Sequence, residues 1–211
     1  MLTVYGCPNS RSMRMVWALE EAGADYAYIL IDLFRGAGRS PDFLRVNPAG
    51  KVPALVDDGT ALTESGAILL WLAERYPDAP LLPPADAPVA RAETLQWLMF
   101  GLTELDPPLW TVAKHRFVLP KSRRLPAIED TCRWEFASAC ALLAKRLGTR
   151  RHVAGDRFTL ADIVITHCLA WAQSARIEVV PALLLDYMEA HWSRPAAKRA
   201  LARESQAANG G

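Results

Sequence analysis

Two stretches of this chain combine residue types that could do chemistry. In Asn47-Pro48-Ala49-Gly50-Lys51-Val52-Pro53-Ala54-Leu55 a proline stands at the entry of a short apolar run. Proline cannot donate to a sheet ladder, so a strand entered through Val52-Pro53 keeps its backbone edge open for something else. Eleven residues after Pro53, Glu64-Ser65 falls where a strand should end and a helix begin. A helix start offers unpaired N–H groups and a positive dipole end, which suit a carboxylate. An open backbone edge beside an anion site fits a small peptide ligand. The second stretch, Tyr5-Gly6-Cys7-Pro8-Asn9-Ser10-Arg11-Ser12, brings a thiol, an amide, two hydroxyls and a guanidinium to a turn that leads into a helix.

The surrounding pattern supplies the elements that would hold these residues. Leu2-Thr3-Val4-Tyr5 reads as a strand ended by Gly6 and Pro8. Met13 to Ala22 follows a helical period and stops at Gly23. Tyr26 to Leu33 is a nearly continuous apolar run, which predicts a central, buried strand. Ser40-Pro41 opens a short helix to Val46 as cap and first-turn proline. Val52–Val56 and Ala61–Thr63 flank Asp57-Asp58-Gly59-Thr60, a hairpin signal, and Gly66–Tyr76 is helical. The order β-α-β-α-β-β-α matches a thioredoxin-like half over residues 1–77.

The proline-rich segment from Asp78 to Pro88 reads as a semi-rigid linker. Beyond it the pattern is helical from 88 to 204: Val89–Leu105, a break at Asp106-Pro107-Pro108, then Ala127–Leu147, Leu160–Ser174 and a set from Ala182 to Arg203, with fraying expected from Ser205. Thr159 and Asp162 have the spacing of a capping box, whose role is folding. Trp97, Trp134, Trp171 and Trp192 are expected in the helical core. The fold class is thus α/β plus all-α.

Composition excludes several classes. A net charge of +1 over 211 residues carries no electrostatic footprint for nucleic acid. No apolar run approaches the roughly 20 residues of a membrane span. Four cysteines without paired spacing and no leader-like segment lead to an expectation of reduced thiols in a cytoplasmic protein. Four scattered histidines form no recognised ligand spacing, so no metal is expected.

The Asn-Pro-x-Gly-Lys-Val-Pro segment, the Glu64-Ser65 pair and the Tyr5–Ser12 turn together resemble the glutathione transferase superfamily, over nearly the whole chain. The Ser10-Arg11-Ser12 triplet before Met13-Arg14-Met15-Val16-Trp17 resembles a bacterial and fungal serine-type subgroup. The resemblance implies glutathione as co-substrate, a small electrophile as second substrate, a homodimer and a role in detoxification. It implies that Glu64 pairs with the γ-glutamyl ammonium, and that Ser65 binds its carboxylate through hydroxyl and N–H. The Val52 backbone would pair with the cysteinyl unit like an added strand, beside a cis Pro53. Lys51 and Arg39 could reach the glycyl carboxylate.

A free thiol has a pKa near ~8.5, so glutathione must be helped to ionise. Serine-type and cysteine-type members of the superfamily place their active residue about five positions after the strand tyrosine, so the resemblance makes Ser10 the first candidate to donate a hydrogen bond to the sulfur. Ser12 is the second, with a competing reading as helix N-cap, and Asn9 could donate through its amide. Arg11 could act electrostatically or face solvent. Cys7 could instead be a nucleophile forming mixed disulfides, although it comes early for that role. Trp110, His115 and Arg116 could line a second-substrate pocket between domains, with Phe117 beside them; Trp110 and Phe117 could equally be core. The implied activity is transfer of glutathione to an electrophile. Thiol–disulfide or peroxide reduction is one alternative, and a non-enzymatic interaction module is the other.

Overall fold

A computed structural model describes residues 1–179 and 181–209. The chain divides into two compact units, residues 1–82 together with the segment from Trp192 onward, and residues 83–191. In chain order the first unit carries β1 (Leu2–Gly6), α1 (Ser12–Ala22), β2 (Tyr26–Leu30), α2 (Pro41–Val46), β3 (Ala54–Asp57), β4 (Thr60–Thr63) and α3 (Ser65–Arg75). The second unit carries α4 (Pro88–Phe100), α5 (Asp106–Ala113), α6 (Ile128–Leu147), α7 (Leu160–Ser174) and α8 (Leu183–Trp192). The last helix, α9 (Pro195–Asn209), packs in the first unit.

The sheet order is β2-β1-β3-β4, with β1 and β2 parallel and the other two pairs antiparallel. The first unit is thioredoxin-like and the second is all-helical. The predicted central strand is an edge strand instead: β2 pairs with β1 alone and ends at Leu30. Its apolar run has another cause, because α9 packs against it. The hairpin turn forms as the sequence suggests, with Asp58 and Gly59 both at positive φ. Ser40 caps α2 by accepting a hydrogen bond from the Phe43 N–H at 3.3 Å.

Burial on all sides of its first two turns, Ser12 to Leu19, explains α1. Met13, Val16, Trp17 and Leu19 are buried, and Trp17 meets Trp192 edge to face at 5.2 Å. Arg194 grips Glu21 through two bonds of 2.6 and 2.8 Å, and Arg199 reaches Glu20 at 2.8 Å. These contacts hold α9 on α1. The helix runs to Asn209, so Ser205 is still helical; Gly210 and Gly211 lie outside the described residues.

In the second unit Asp106-Pro107-Pro108 does not break the chain. Residues Gly101–Leu105 widen into a π-helical turn, and α5 starts directly after it with its prolines in the first turn. Wider winding gives the proline rings room and leaves their missing N–H without consequence. Gly101 is required there, because a Cβ would stand 2.8 Å from Val164 of α7. α7 is the buried axis of this unit, with Leu160 to Leu169 all inside. Its capping box forms: the Thr159 N–H donates to Asp162 Oδ2 at 2.8 Å. Trp134, expected in the core, is 70% exposed on α6, where the inward positions are taken by Cys132, Phe136, Ala139, Cys140 and Leu143. None of the four cysteines is in a disulfide, and all four are buried. Among the described residues no helix is long and apolar enough to cross a membrane.

Candidate functional site

Strand register gathers the candidate residues of the first unit. Tyr5 pairs with Ala54, and Ala54 pairs with Thr63. One step further along each strand lie the turn from Gly6 to Ser12, the Val52-Pro53 bond and Glu64-Ser65, all at one end of the sheet. The Val52-Pro53 peptide bond is cis. α1 and α3 both begin at this end, so two sets of unpaired helix N–H groups open there. Arg14, fully buried on α1, donates to the Ser65 hydroxyl at 3.3 Å and ties the two helix starts together.

Two residues at this end have unusual backbone. Asn9 has φ 58°, and Glu64 has φ 67° with ψ 116° as the residue before α3. A non-glycine residue held at positive φ costs of order 1–3 kcal/mol and persists only where surrounding structure imposes it. Glu64 is exposed and its side chain does not cap α3, so helix formation does not account for the conformation.

The turn itself is a hydroxyl network. Ser10 Oγ lies 2.9 Å from Ser12 Oγ and accepts the Ser12 N–H at 3.1 Å. Ser12 is not the N-cap; Arg11 occupies that position, without a side-chain cap. The Ser12 hydroxyl points back instead to Cys7, taking its N–H at 3.1 Å and facing its carbonyl at 2.9 Å. It also meets Glu204 of α9 at 2.5 Å, and Tyr28 Oη reaches the same Glu204 oxygen at 3.3 Å. Burial pushes the Glu204 carboxyl up to about 7, against the lowering effect of the two hydroxyls. Burial also raises the Cys7 thiol, with Glu204 and Asp32 adding to it against a lowering backbone hydrogen bond from Leu33. That environment disfavours a Cys7 thiolate.

Arg39 and Lys51 sit on two loops that touch. A Cβ on Gly38 would stand 2.7 Å from Gly50 O, and the Arg39 guanidinium lies beside Gly50. Asn47 shapes the second loop by donating to Lys51 O at 2.7 Å and accepting from Ala49 N–H at 3.0 Å. Lys51 and Arg39 are both exposed.

In the second unit His115 and Arg116 border a shallow depression with Val112, Arg124, Pro126, Ile128 and Glu129; Trp110 is not part of its lining. Arg116 is committed locally, to Glu129 through two bonds and to Ala175 O at 2.7 Å. The Arg116 and Arg133 guanidiniums hold the Glu129 carboxyl down at about 2. His115 Nδ1 accepts the Leu125 N–H at 2.9 Å. Trp110 is half-buried and Phe117 is exposed.

Sequence spacing missed three groupings. Arg14 and Glu204 act on the sheet-end turn from positions that helical periodicity leaves unremarkable. His152, Asp162 and His191 also come together in the second unit, buried and with ligand atoms within 4.8 Å of one another. That triad could in principle hold a metal. Its atoms are already engaged: His152 Nδ1 is 3.0 Å from His191 Nε2, and Asp162 Oδ1 accepts from Val153 N–H and Tyr187 Oη. A structural polar network accounts for all three.

The chain matches two known families: residues 1–74 match "Glutathione S-transferase, N-terminal domain" and residues 127–195 "Glutathione S-transferase, C-terminal domain". It is 33% identical to the disulfide-bond oxidoreductase YfcG of Escherichia coli over 95% of this chain and 94% of that one. The structure of a glutathione transferase from Methylococcus capsulatus aligns with TM-score 0.85 and 31% identity, covering 97% and 99% of the two chains. A glutathione transferase from Pseudomonas putida, solved with glutathione disulfide bound, aligns with TM-score 0.83 and 25% identity over 95% and 90%.

Proposed function

This chain belongs to the glutathione S-transferase superfamily, and we propose from that premise that it is a glutathione-utilising enzyme whose site lies at the described end of the sheet. The observation that carries the reading is the register that brings the Ser10 turn, the Val52-Pro53 edge and the Glu64-Ser65 helix start to one place. Glutathione would lie along Val52 as an added strand. Its γ-glutamyl end would meet Glu64, Ser65 and the start of α3. Its glycyl carboxylate would meet Lys51 and Arg39. Its sulfur would face the start of α1, with Ser10 donating to the thiolate, Ser12 and Asn9 beside it and Arg11 adding positive charge. Both the dipole end of α1 and a donated hydrogen bond favour the thiolate.

The product-forming step is transfer of that thiolate to a small electrophile, with Trp110, His115 and Arg116 as candidates for its binding. The engagement of Arg116 by Glu129 leaves it a weak anion receptor. The similarity to YfcG supports a second reading, in which the same thiolate attacks a disulfide. Burial and the raised thiol pKa of Cys7 favour glutathione's own sulfur as the nucleophile in either case. A cytoplasmic homodimer remains part of this reading.

The test is calorimetry of glutathione binding together with thiolate absorbance against pH. The bound thiol should ionise below ~8.5 in the native protein and about one unit higher in Ser10→Ala. An unchanged pKa in Ser10→Ala would remove Ser10 from this role. No binding at all would leave the fold as an interaction scaffold. Parallel assays with an aromatic halide and with a mixed disulfide of glutathione separate transfer from disulfide reduction.

A further inference from the structure

α6 turns Cys132, Phe136, Ala139, Cys140, Leu143 and Leu147 inward. A helix that meets only water on its other side carries charged residues there. Here the middle of that side is uncharged. Trp134 is 70% exposed and Leu142 59%, about two turns apart on one stripe. Ser138 lies midway between them, with Thr131 and Ala141 alongside, all exposed. The Ser138 hydroxyl donates to the Trp134 carbonyl at 2.9 Å. The polar group in the middle of the stripe is thus satisfied within its own helix and can be covered without leaving a bond unmade. Contiguous exposed apolar groups of this kind mark an interaction surface, where scattered ones do not.

The charges on this face stand at its edges and are sorted along the helix. Asp130 and Glu135 are exposed in the first half, and Lys145 is exposed in the last turn. Neighbouring charges are taken within the chain: Glu129 pairs with Arg116 and Arg133, and Arg146 with Glu93. A partner for this face must offer an apolar stripe to Trp134, a cation near the first turn and an acid near the last. A second copy of α6, laid antiparallel about a two-fold axis near Ser138, offers all three. Trp134 of each copy then lies over Ser138 and Leu142 of the other, a large side chain on a small one. Asp130 of each copy comes beside Lys145 of the other. A parallel copy would set like charges side by side, which opposes association.

We propose that the outward face of α6 is an interface through which two copies of this chain associate, anchored by Trp134 and held in register by two Asp130–Lys145 pairs. In a two-fold interface each contact occurs twice, so one helix face suffices. Two tryptophans bury on the order of 300–500 Å². With the residues around them the contact falls among small, transient interfaces of under ~1,200 Å². Association should therefore rise and fall with protein concentration. The interface goes beyond the glutathione reading and does not depend on it, since none of its residues is assigned to the sheet-end site.

The experiment is sedimentation velocity of the full chain over a wide range of concentration, in the native protein, Trp134→Glu, Asp130→Lys and the double variant Asp130→Lys/Lys145→Asp. These positions are exposed, so folding is not at stake. The average mass of the native protein should rise with concentration. Trp134→Glu should need about tenfold more protein for the same rise, the effect of losing a central tryptophan anchor. Asp130→Lys should weaken association and the added Lys145→Asp should restore it, which a change in solubility would not do. Ser138→Cys gives an independent reading. The native cysteines are buried, so copper-catalysed air oxidation should join two chains through the introduced thiols. Native protein and Trp134→Glu with the same mass at every concentration overturn the proposal, whether that mass is one chain or a dimer built on another face. A double charge swap that associates no better than Asp130→Lys overturns it too, as does a Ser138→Cys protein that stays a single chain on oxidation.

Discussion

Each unit of this protein buries a carboxylate near a helix start, and the two are satisfied in opposite ways. In the helical unit Asp162 accepts from the backbone N–H groups of Val153 and Thr159 and from Tyr187 Oη at 2.6 Å. Most of these donors are fixed in place by the main chain, so the carboxylate has one arrangement. In the sheet unit Glu204 meets, among the described residues, the hydroxyls of Ser12 and Tyr28, which rotate and can also accept. Fixed donors make a carboxylate part of the framework. Rotatable hydroxyls leave its protonation state open and couple that state to whatever else they touch.

Removal of Asp162 is the harshest test of this contrast. Asp162→Ala leaves two buried N–H groups and a phenol without their acceptor, at about 1–3 kcal/mol for each group left unmade. A total loss of about 3–5 kcal/mol is expected in denaturant unfolding, without a specific effect on glutathione binding. A loss under about 1 kcal/mol would mean that water or the nearby histidines replace the acceptor, and the framework role would fail.

Glu204→Gln should do the reverse. An acid whose ionisation is raised by folding holds its proton more tightly folded than unfolded. Its contribution to stability is therefore complete below the ordinary carboxylate range and falls away as pH climbs to about 7. A shift of this size corresponds to about 3 kcal/mol for so deeply buried a group. The native protein should lose stability over that window, and Glu204→Gln should not, so the variant should be the more stable one at neutral pH. Parallel unfolding curves across the window would equate the two carboxylates after all.

The contrast was half visible in the sequence. Thr159 and Asp162 signal themselves because a capping box is local, three residues apart, and the structure forms it. The sheet-end residues Ser10, Val52, Pro53, Glu64 and Ser65 were also legible, since each sits at a junction marked by glycine, proline or a change of period. Glu204 was not, because α9 is amphipathic and a glutamate on it looks solvated until the contacts of Arg194 and Arg199 turn it onto α1. Edge and centre of the sheet were likewise confused, since covering β2 with α9 produces the same apolar run as a flanking strand. Asp106-Pro107-Pro108 looked like a break because composition shows the missing N–H and not the π-turn that absorbs it. Trp134 looked like core because size predicts burial only on the inward face of a helix.

Glu64 gives the mildest test, and it asks whether the backbone before α3 stores strain where the backbone before α7 is extended. Thr159 precedes α7 in extended backbone, at φ −137°, with its cap complete. Glu64 precedes α3 at φ 67° with no cap. Glycine holds a positive φ at lower steric cost than a residue with a Cβ, and as an N-cap it is only slightly worse than the favoured residues. Against the relieved strain stands the larger entropy of glycine in the unfolded chain, of about the same size as the smaller strain estimates. Glu64→Gly should therefore gain about 1 kcal/mol in unfolding free energy while losing tenfold or more in glutathione affinity, as the proposed partner of the γ-glutamyl ammonium disappears. Glu64→Ala removes the same carboxylate and keeps the strain, so it should lose the affinity without the gain in stability. If both variants are equally stable, the strain relieved at Glu64 is no larger than the entropy cost of glycine, about 1 kcal/mol or less.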